Sequence, residues 1–148
     1  MAHQLDAILG GQTAVLVPVM IGGLWTAMKI ADKMNTPVAM DPVKTRSYNG
    51  RHRQGIEFDY AGCMGKDWNG RIVVLIDDIY DSGATMKFLK NEAMSRRASK
   101  VITATRITKD KSALDSWGLY YSGDEFLYGC GLDRNGLDRN VNHVYTLR

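Results

Sequence analysis

A chain of 148 residues with 45% hydrophobic and 24% charged residues holds enough apolar material for one packed core and is too short to expect a second domain. Its formal net charge of +3, with basic residues gathered only at Arg51-His52-Arg53 and Arg96-Arg97, does not demand a nucleic-acid partner. Cys63 and Cys130 lack CxxC spacing and His3, His52 and His143 lie far apart, which excludes a zinc pattern readable from the sequence and leaves reduced thiols as the expectation.

The opening MAHQLDAILGG lacks the charged start and long apolar run of a signal peptide, and no apolar run approaches the ~20 residues of a membrane span, so a cytoplasmic chain is expected. Thr13 to Met20 is a valine-rich apolar run that stops at Gly22-Gly23; it predicts a buried strand entering a tight loop. Leu24, Ala27, Met28, Ala31 and Met34 recur at helical spacing, and Asn35-Thr36-Pro37 stops the helix they predict. Val38 to Tyr48 predicts a second strand, at an edge or bulge on account of Pro42, with a mobile turn over Asn49 to Gln54. Arg71 to Asp78, with consecutive aliphatics ending in two acids, predicts the most deeply buried strand; a short loop and a helix over Thr85 to Ala98 follow, then an alternating strand over Val101 to Ile107.

From Leu114 onward the aromatic and glycine content predicts irregular structure with short strands, a cap over the strand ends. The pentapeptide GLDRN occurs twice in succession, at 131–135 and 136–140, too short a unit for a repeat architecture. Strands alternating with helices predict a single α/β domain over 1–148: a mostly parallel, twisted sheet flanked by helices, its core at about 13–110 and a tail at about 111–148. Ligands in such sheets sit at the carboxyl ends of the strands, here the loops after Val19, Asp78 and Ile107.

Asp77, Asp78 and Asp81 precede Ser82-Gly83-Ala84-Thr85 where the aliphatic strand gives way to a helix. Such a junction exposes free backbone N–H groups, the helix dipole favours an anion, Gly83 lets the backbone approach closely, and Ser82 and Thr85 add hydroxyl donors; the arrangement reads as a monophosphate cradle. A lone Ser or Thr there more often caps the helix, but three acids packed against the loop point beyond a cap. Two carboxylates at the end of a buried strand repel each other and are costly to desolvate, a cost that ribose hydroxyls and magnesium would offset.

The run Val73 to Met86, VVLIDDIYDSGATM, resembles the phosphoribosyl-pyrophosphate motif of type I phosphoribosyltransferases: an aliphatic run, two acids, two apolar residues, Asp, Thr or Ser, Gly, any residue, Thr. The resemblance implies that Asp77 and Asp78 bind the ribose hydroxyls, that Asp81, Ser82, Gly83, Ala84 and Thr85 wrap the 5′-phosphate, and that Asp81 lies near N7 of a purine as general base. Three further segments are similar to the hypoxanthine-guanine branch. PVMIGG, Pro18 to Gly23, resembles the loop whose backbone amides hold pyrophosphate, with a cis peptide expected at Met20-Ile21; Ile21 stands where that branch often has lysine or arginine, so Ile21, Gly22 and Gly23 would contribute backbone contacts alone. KTRSYNG, Lys44 to Gly50, resembles the mobile loop that closes over the reaction centre and excludes water, with Ser47 and Tyr48 in the matching places.

The segment Phe126 to Tyr145 resembles the purine- and magnesium-binding tail of the branch. By that likeness Phe126 stacks on the base, Leu127 offers backbone groups to its edge, Asp133 helps hold magnesium, Arg139 reaches pyrophosphate, and Lys109, with Lys111 close by, donates to the 6-oxo group. Read without the family, Phe126 would be a core residue and Asp133-Arg134-Asn135 a turn.

The implied fold is that of type I phosphoribosyltransferases, with a small hood from the tail and a reduced N-terminal segment. The implied reaction is magnesium-dependent purine salvage: phosphoribosyl pyrophosphate and a 6-oxopurine (hypoxanthine or guanine, with xanthine open) giving a nucleoside monophosphate and pyrophosphate. A homodimer or homotetramer, without membrane or nucleic-acid partner, accompanies that expectation. The alternatives are a sister transferase for another base, such as uracil or orotate, and a nucleotide- or RNA-binding regulator on the same fold, for which Arg51, Arg53, Arg96 and Arg97 are the basic residues.

Overall fold

The computed structural model describes the backbone of residues 1–50, 53–59 and 67–147, and the side chains of residues 1–45 and 67–147. A five-stranded sheet, all parallel, runs in the order β2-β1-β5-β6-β7. Its strands are β1 (Ala14–Pro18), β2 (Val38–Met40), β5 (Ile72–Tyr80), β6 (Lys100–Thr108) and β7 (Ser116–Tyr120). The helices are α1 (Ala2–Leu9), α2 (Gly22–Ala31) and α3 (Ala84–Ser95), while β3 (Lys44–Gly50) with β4 (Arg53–Asp59) and β8 (Phe126–Tyr128) with β9 (Tyr145–Leu147) form two antiparallel ribbons.

Alternation along the strands sorts side chains into two cores. Ala14, Leu16, Val74, Ile76, Ile102 and Ala104 face one side, packed by Leu5 and Leu9 of α1 and Ala27 and Ile30 of α2. Val15, Val17, Val73 and Leu75 face the other, packed by Met86, Leu89 and Ala93 of α3 and by Trp68. Burial on both faces is why β1 and β5 read as continuous aliphatic runs. At about 25 cal/mol per Å² of apolar area removed from water, each buried Val, Leu, Ile or Met of these cores contributes roughly 1.5–3 kcal/mol. Among the described residues no helix is long and apolar enough to cross a membrane.

The structure corrects four expectations. The strand expected over Val38 to Tyr48 is two: β2 stays in the sheet, Val43 still bridges Val19, and β3 leaves beyond it; Pro42 and the buried Asp41, which accepts the indole N–H of Trp68 at 2.8 Å, mark the break. Asn49 and Gly50 are not in a turn; they pair with Gln54 and Arg53, and Arg51 and His52 of the expected turn lie outside the described residues, as does Cys63. The strand ending in the acids runs on to Tyr80. Part of the tail is no cap: β7 extends the main sheet beside β6, its entry fixed by Asp115, whose Oδ2 accepts from the Thr103 N–H and hydroxyl, both at 2.8 Å.

The N-terminal segment forms α1, closed by Gly10 in the left-handed region, φ 56°, whose N–H donates to the Asp6 carbonyl. The Asp6 carboxylate accepts from the N–H groups of Asn35 and Thr36 at 3.0 and 3.1 Å, tying α1 to the chain beyond α2. The β8–β9 ribbon supplies the small hood expected from the tail, and a cluster of Ile107, Leu127 and Leu132 seats it on the sheet.

Candidate active site

The carboxyl ends of β1, β5 and β6 converge with the tail. Asp77 and Asp78 stand at that end of β5 and are each folded back on the chain, the Asp78 N–H donating to Asp77 Oδ1 at 2.9 Å and the Ile79 N–H to Asp78 Oδ1 at 2.7 Å. Burial, and after it the negative charge of Asp78, pushes the Asp77 carboxyl well above the usual aspartate range. Such a pair is eased by hydroxyl donors or a cation placed between the carboxylates.

The loop after β5 opens directly into α3. Gly83 is the residue before the helix, at φ 75°, and a Cβ there would also overlap the Tyr80 hydroxyl, so both backbone and space require glycine. Residues 77–86 line a single cleft around the first turn of α3, where unpaired helical N–H groups and the dipole favour an anion. The Ser82 hydroxyl is 3.4 Å from the Ala84 N–H.

A second cavity adjoins the first through Asp78, Ile79 and Asp81, and reaches Lys109, Asp124, Phe126, Leu127 and Asp133. Lys109 Nζ lies 3.1 Å from Asp81 Oδ1 and 3.7 Å from Asp124 Oδ1, and the bond to Asp81 raises the lysine above its ordinary pKa. Lys111 points elsewhere, over the rings of Tyr120 and Trp117 at 4.4 and 5.6 Å; of the two lysines considered, Lys109 is the one in the cavity. The Phe126 ring stands 55% exposed at the rim, whereas Leu127 is buried.

On the other side of the acids, the Met20–Ile21 peptide is cis, and the Ile21 side chain is exposed to solvent. A Cβ on Gly22 would overlap the Asp78 carboxylate, and one on Gly23 would overlap the Ile76 carbonyl oxygen. Two glycines are thus what lets this loop lie on the end of β5. Arg139 closes the same side: it lines a groove with Ile21, Leu24 and Trp25.

The doubled pentapeptide pairs with itself crosswise. Asp133 of the first copy takes Arg139 of the second at 2.7 Å, and Arg134 of the first takes Asp138 of the second at 2.7 Å. Asp133 also accepts the Gly136 N–H at 2.7 Å. Ser47 and Tyr48 are placed in β3, opposite Ile56 and Gly55, but their side chains lie outside the described residues. Arg96 stacks on Trp68 at 4.8 Å and bonds Glu92 at 2.9 Å, so its guanidinium is engaged in packing.

Reading the sequence missed Asp124, Trp25 and Arg106. The first two carry no local signal; Arg106 does, as a charged residue in the otherwise apolar and hydroxylic run VITATRIT.

Comparison with known proteins agrees with this layout. The phosphoribosyl transferase domain model matches residues 1–134. A hypoxanthine-guanine phosphoribosyltransferase of Streptococcus agalactiae is 29% identical over 149 aligned positions, covering 98% of this chain and 83% of that one, and one of Staphylococcus aureus is 26% identical with the same coverages. Among solved structures, a hypoxanthine phosphoribosyltransferase from Staphylococcus aureus superposes with a TM-score of 0.87 at 23% identity over 99% of this chain and 82% of that one. A hypoxanthine-guanine phosphoribosyltransferase from Bacillus anthracis gives 0.82 at 22% identity over 98% and 86%. With the family model spanning nearly the whole chain, the protein belongs to the phosphoribosyl transferase domain family.

Proposed function

We propose that the chain is a purine salvage enzyme that transfers the 5-phosphoribosyl group from phosphoribosyl pyrophosphate to a 6-oxopurine, hypoxanthine or guanine and also xanthine if the site admits it. The observation that carries the reading is the continuity of the two cavities through Asp78, Ile79 and Asp81. One has the shape and donors for a ribose 5-phosphate, and the other has an aromatic rim, Phe126, and an acceptor and a donor 3.1 Å apart, Asp81 and Lys109. In the free base that reacts through N9 the proton sits on N7 beside the 6-oxo group, so the N7–H would donate to the Asp81 carboxylate and the 6-oxo group would accept from Lys109.

In this reading Asp77 and Asp78 take the ribose hydroxyls, and the loop from Asp81 through Ser82, Gly83 and Ala84 to Thr85 takes the 5′-phosphate. Lys109 donates to the 6-oxo group, Phe126 stacks on the base and Leu127 meets its edge through the backbone. As the bond from C1 to pyrophosphate breaks, the base nitrogen attacks C1, and Asp81 takes or shares the purine proton, a step that typically contributes ~10²–10⁴ in rate. Backbone amides of Ile21 and Gly22, with Arg139, would face the leaving pyrophosphate, while Gly23, whose N–H donates to the Val19 carbonyl at 2.9 Å, contributes close packing; positioning with charge neutralisation does most of the work.

Magnesium fits the donor set. Among the described residues no group of three or more His, Cys, Asp or Glu side chains could hold a metal by itself, and magnesium is commonly held by one or two carboxylates together with substrate phosphates; Asp133 is the carboxylate placed for it. Bound there, the ion would neutralise charge on the pyrophosphate group. A homodimer or homotetramer and a cytoplasmic location belong to the same proposal, the first read by sedimentation velocity.

The test is turnover of phosphoribosyl pyrophosphate with magnesium and, separately, hypoxanthine, guanine, xanthine, adenine, uracil and orotate, following pyrophosphate release. Conversion of a 6-oxopurine supports the reading and ranks the bases. Conversion of uracil or orotate alone replaces it with a sister transferase, and intact substrates with every base move the weight to a binding role.

A further inference from the structure

Arg106 interrupts the buried run of β6, with Thr103, Ala104 and Thr105 before it and Ile107 and Thr108 after it all buried. Across the β5–β6 ladder Asp77 pairs with Thr105 and Ile79 with Ile107, so Asp78 and Arg106 stand level on neighbouring strands. Both continue the face that carries Ile76 and Ala104. The guanidinium carbon lies 5.0 Å from the centre of the Trp25 ring on α2, and Nη1 donates to the Cys130 carbonyl of the tail. Nε and Nη2 are buried without a hydrogen-bond partner among the described residues.

Energetics argue that this side chain is not there for stability. A buried guanidinium with two unpaired donors is costly, and an apolar side chain of similar volume would fill the strand position at lower cost. What offsets the burial is local: the negative charge of Asp78 and the face of Trp25, a favourable contact for a cation.

The position of Cys130 gives the arginine its reach. The Cys130 N–H donates to the Val141 carbonyl at 2.7 Å and the Gly131 N–H to the Arg139 carbonyl at 2.8 Å, so Cys130 and Gly131 form the neck of the loop that carries Asp133 and Arg139. Gly131 in turn lies against α2, where a Cβ would meet Trp25 Cβ at 2.8 Å and the Gly22 carbonyl oxygen at 3.0 Å. One guanidinium therefore touches the neck of the tail loop, the first turn of α2 and the neighbourhood of Asp78.

We propose that Arg106 is a positioning residue for the transfer reaction, fixing the tail loop through the Cys130 carbonyl and Asp78 through its charge, so that both walls of the pyrophosphate end of the cleft are set from one point. The proposal rests on the transferase reading. It makes Arg106 act on Asp78, Asp133 and Arg139 rather than on substrate, since its unpaired N–H groups are buried.

Two variants and one cycle test it. In Arg106→Met, kcat/KM for phosphoribosyl pyrophosphate falls about thirtyfold, the size expected when one partner of a buried, hydrogen-bonded charge is removed, while KM for hypoxanthine moves by less than about threefold, because Phe126 and Lys109 are held by other contacts. Arg106→Lys keeps the charge without the fork and lies between, its KM for phosphoribosyl pyrophosphate raised severalfold. A wild-type KM for phosphoribosyl pyrophosphate in either variant overturns the proposal, and the lysine variant carries this arm if the methionine variant does not fold. Urea unfolding of Arg106→Gln, which removes the charge, of Asp78→Asn and of the double variant needs no turnover: non-additive midpoints support the charge link, and additive ones overturn it. Absence of turnover in the native chain with every base would instead overturn the transferase reading, and the cycle then decides the Arg106–Asp78 link alone.

Discussion

Gly22 and Gly23 are adjacent and both buried, yet the same substitution at each should fail in different ways. An alanine at Gly23 places its methyl against the Ile76 carbonyl oxygen, closer than the 3.0 Å that Cβ atoms keep from other heavy atoms, and 3.2 Å from Asp77 Cα. These are backbone atoms of β5, paired on both sides by β1 and β6, and cannot swing aside. Room has to come from lifting the first turn of α2 off the sheet, and forced overpacking of this kind costs about 1–3 kcal/mol. Alanine regains roughly 0.5–1 kcal/mol of helix propensity over glycine, which leaves a net loss of up to about 2.5 kcal/mol, or a drop of up to roughly 10 °C in Tm for a chain of this size. At Gly22 the three atoms nearest the methyl all belong to the Asp78 side chain, with Cγ at 2.5 Å. That carboxylate can rotate, at the cost of its bond from the Ile79 N–H. Gly22→Ala should then melt within about 2 °C of the native chain, while kcat/KM for phosphoribosyl pyrophosphate falls by up to ~10²-fold, as expected for displacement of a binding group by about 1 Å. Differential scanning fluorimetry and steady-state kinetics on both variants decide it. A larger melting loss in Gly22→Ala than in Gly23→Ala, or unchanged kinetics in Gly22→Ala, would refute the packing argument.

Asp77→Asn bears on the acid pair. Because burial and the Asp78 charge raise the Asp77 carboxyl, the folded chain holds that proton more tightly than the unfolded one; the stability this group contributes is full below its ordinary value of 3.8 and is lost as pH rises from there through the raised value. The stability of Asp77→Asn relative to the native chain should therefore climb as pH rises above about 4, until it passes the raised value, and a difference that stays flat with pH would sink the assignment. Asp81→Asn should lower turnover by ~10²–10⁴ with KM for phosphoribosyl pyrophosphate changed only severalfold; equal turnover refutes the general base. Trp68→Phe removes the donor to the buried Asp41 carboxylate and should destabilise by about 1–3 kcal/mol in urea unfolding, and a native midpoint would show that another group takes over the bond.

What the sequence made legible was local. β1 and β5 are buried on both faces, so their aliphatic runs announce them, and the phosphate loop is a single strand–loop–helix whose residues are neighbours in the chain. α1 escaped because it buries only Leu5 and Leu9, too narrow a stripe to show a period over eight residues. The break at Asp41-Pro42 escaped because the partner of Asp41, the indole of Trp68, lies 27 residues away. β7 looked like part of an irregular tail because its partner choice depends on Asp115 reaching Thr103, a side-chain contact that no apolar periodicity signals.

The site divides along the same line. Asp77 to Thr85 could be named from the chain, whereas Arg106 acquires meaning only when β5, α2 and the tail are packed around it. The doubled GLDRN, meaningless as a repeat unit, becomes intelligible as two crossed ion pairs. The Asp133–Arg139 pair is about a third exposed on each side, 37% and 31%, and pairs of that kind contribute only about 0–1 kcal/mol. It orders the loop without locking it. Under the proposed transferase reading, a metal ion drawing on Asp133 and a phosphate group drawing on Arg139 would replace this weak pair, while the Arg139 bond to the Gly131 carbonyl at 2.7 Å would keep the side chain at the neck of the loop.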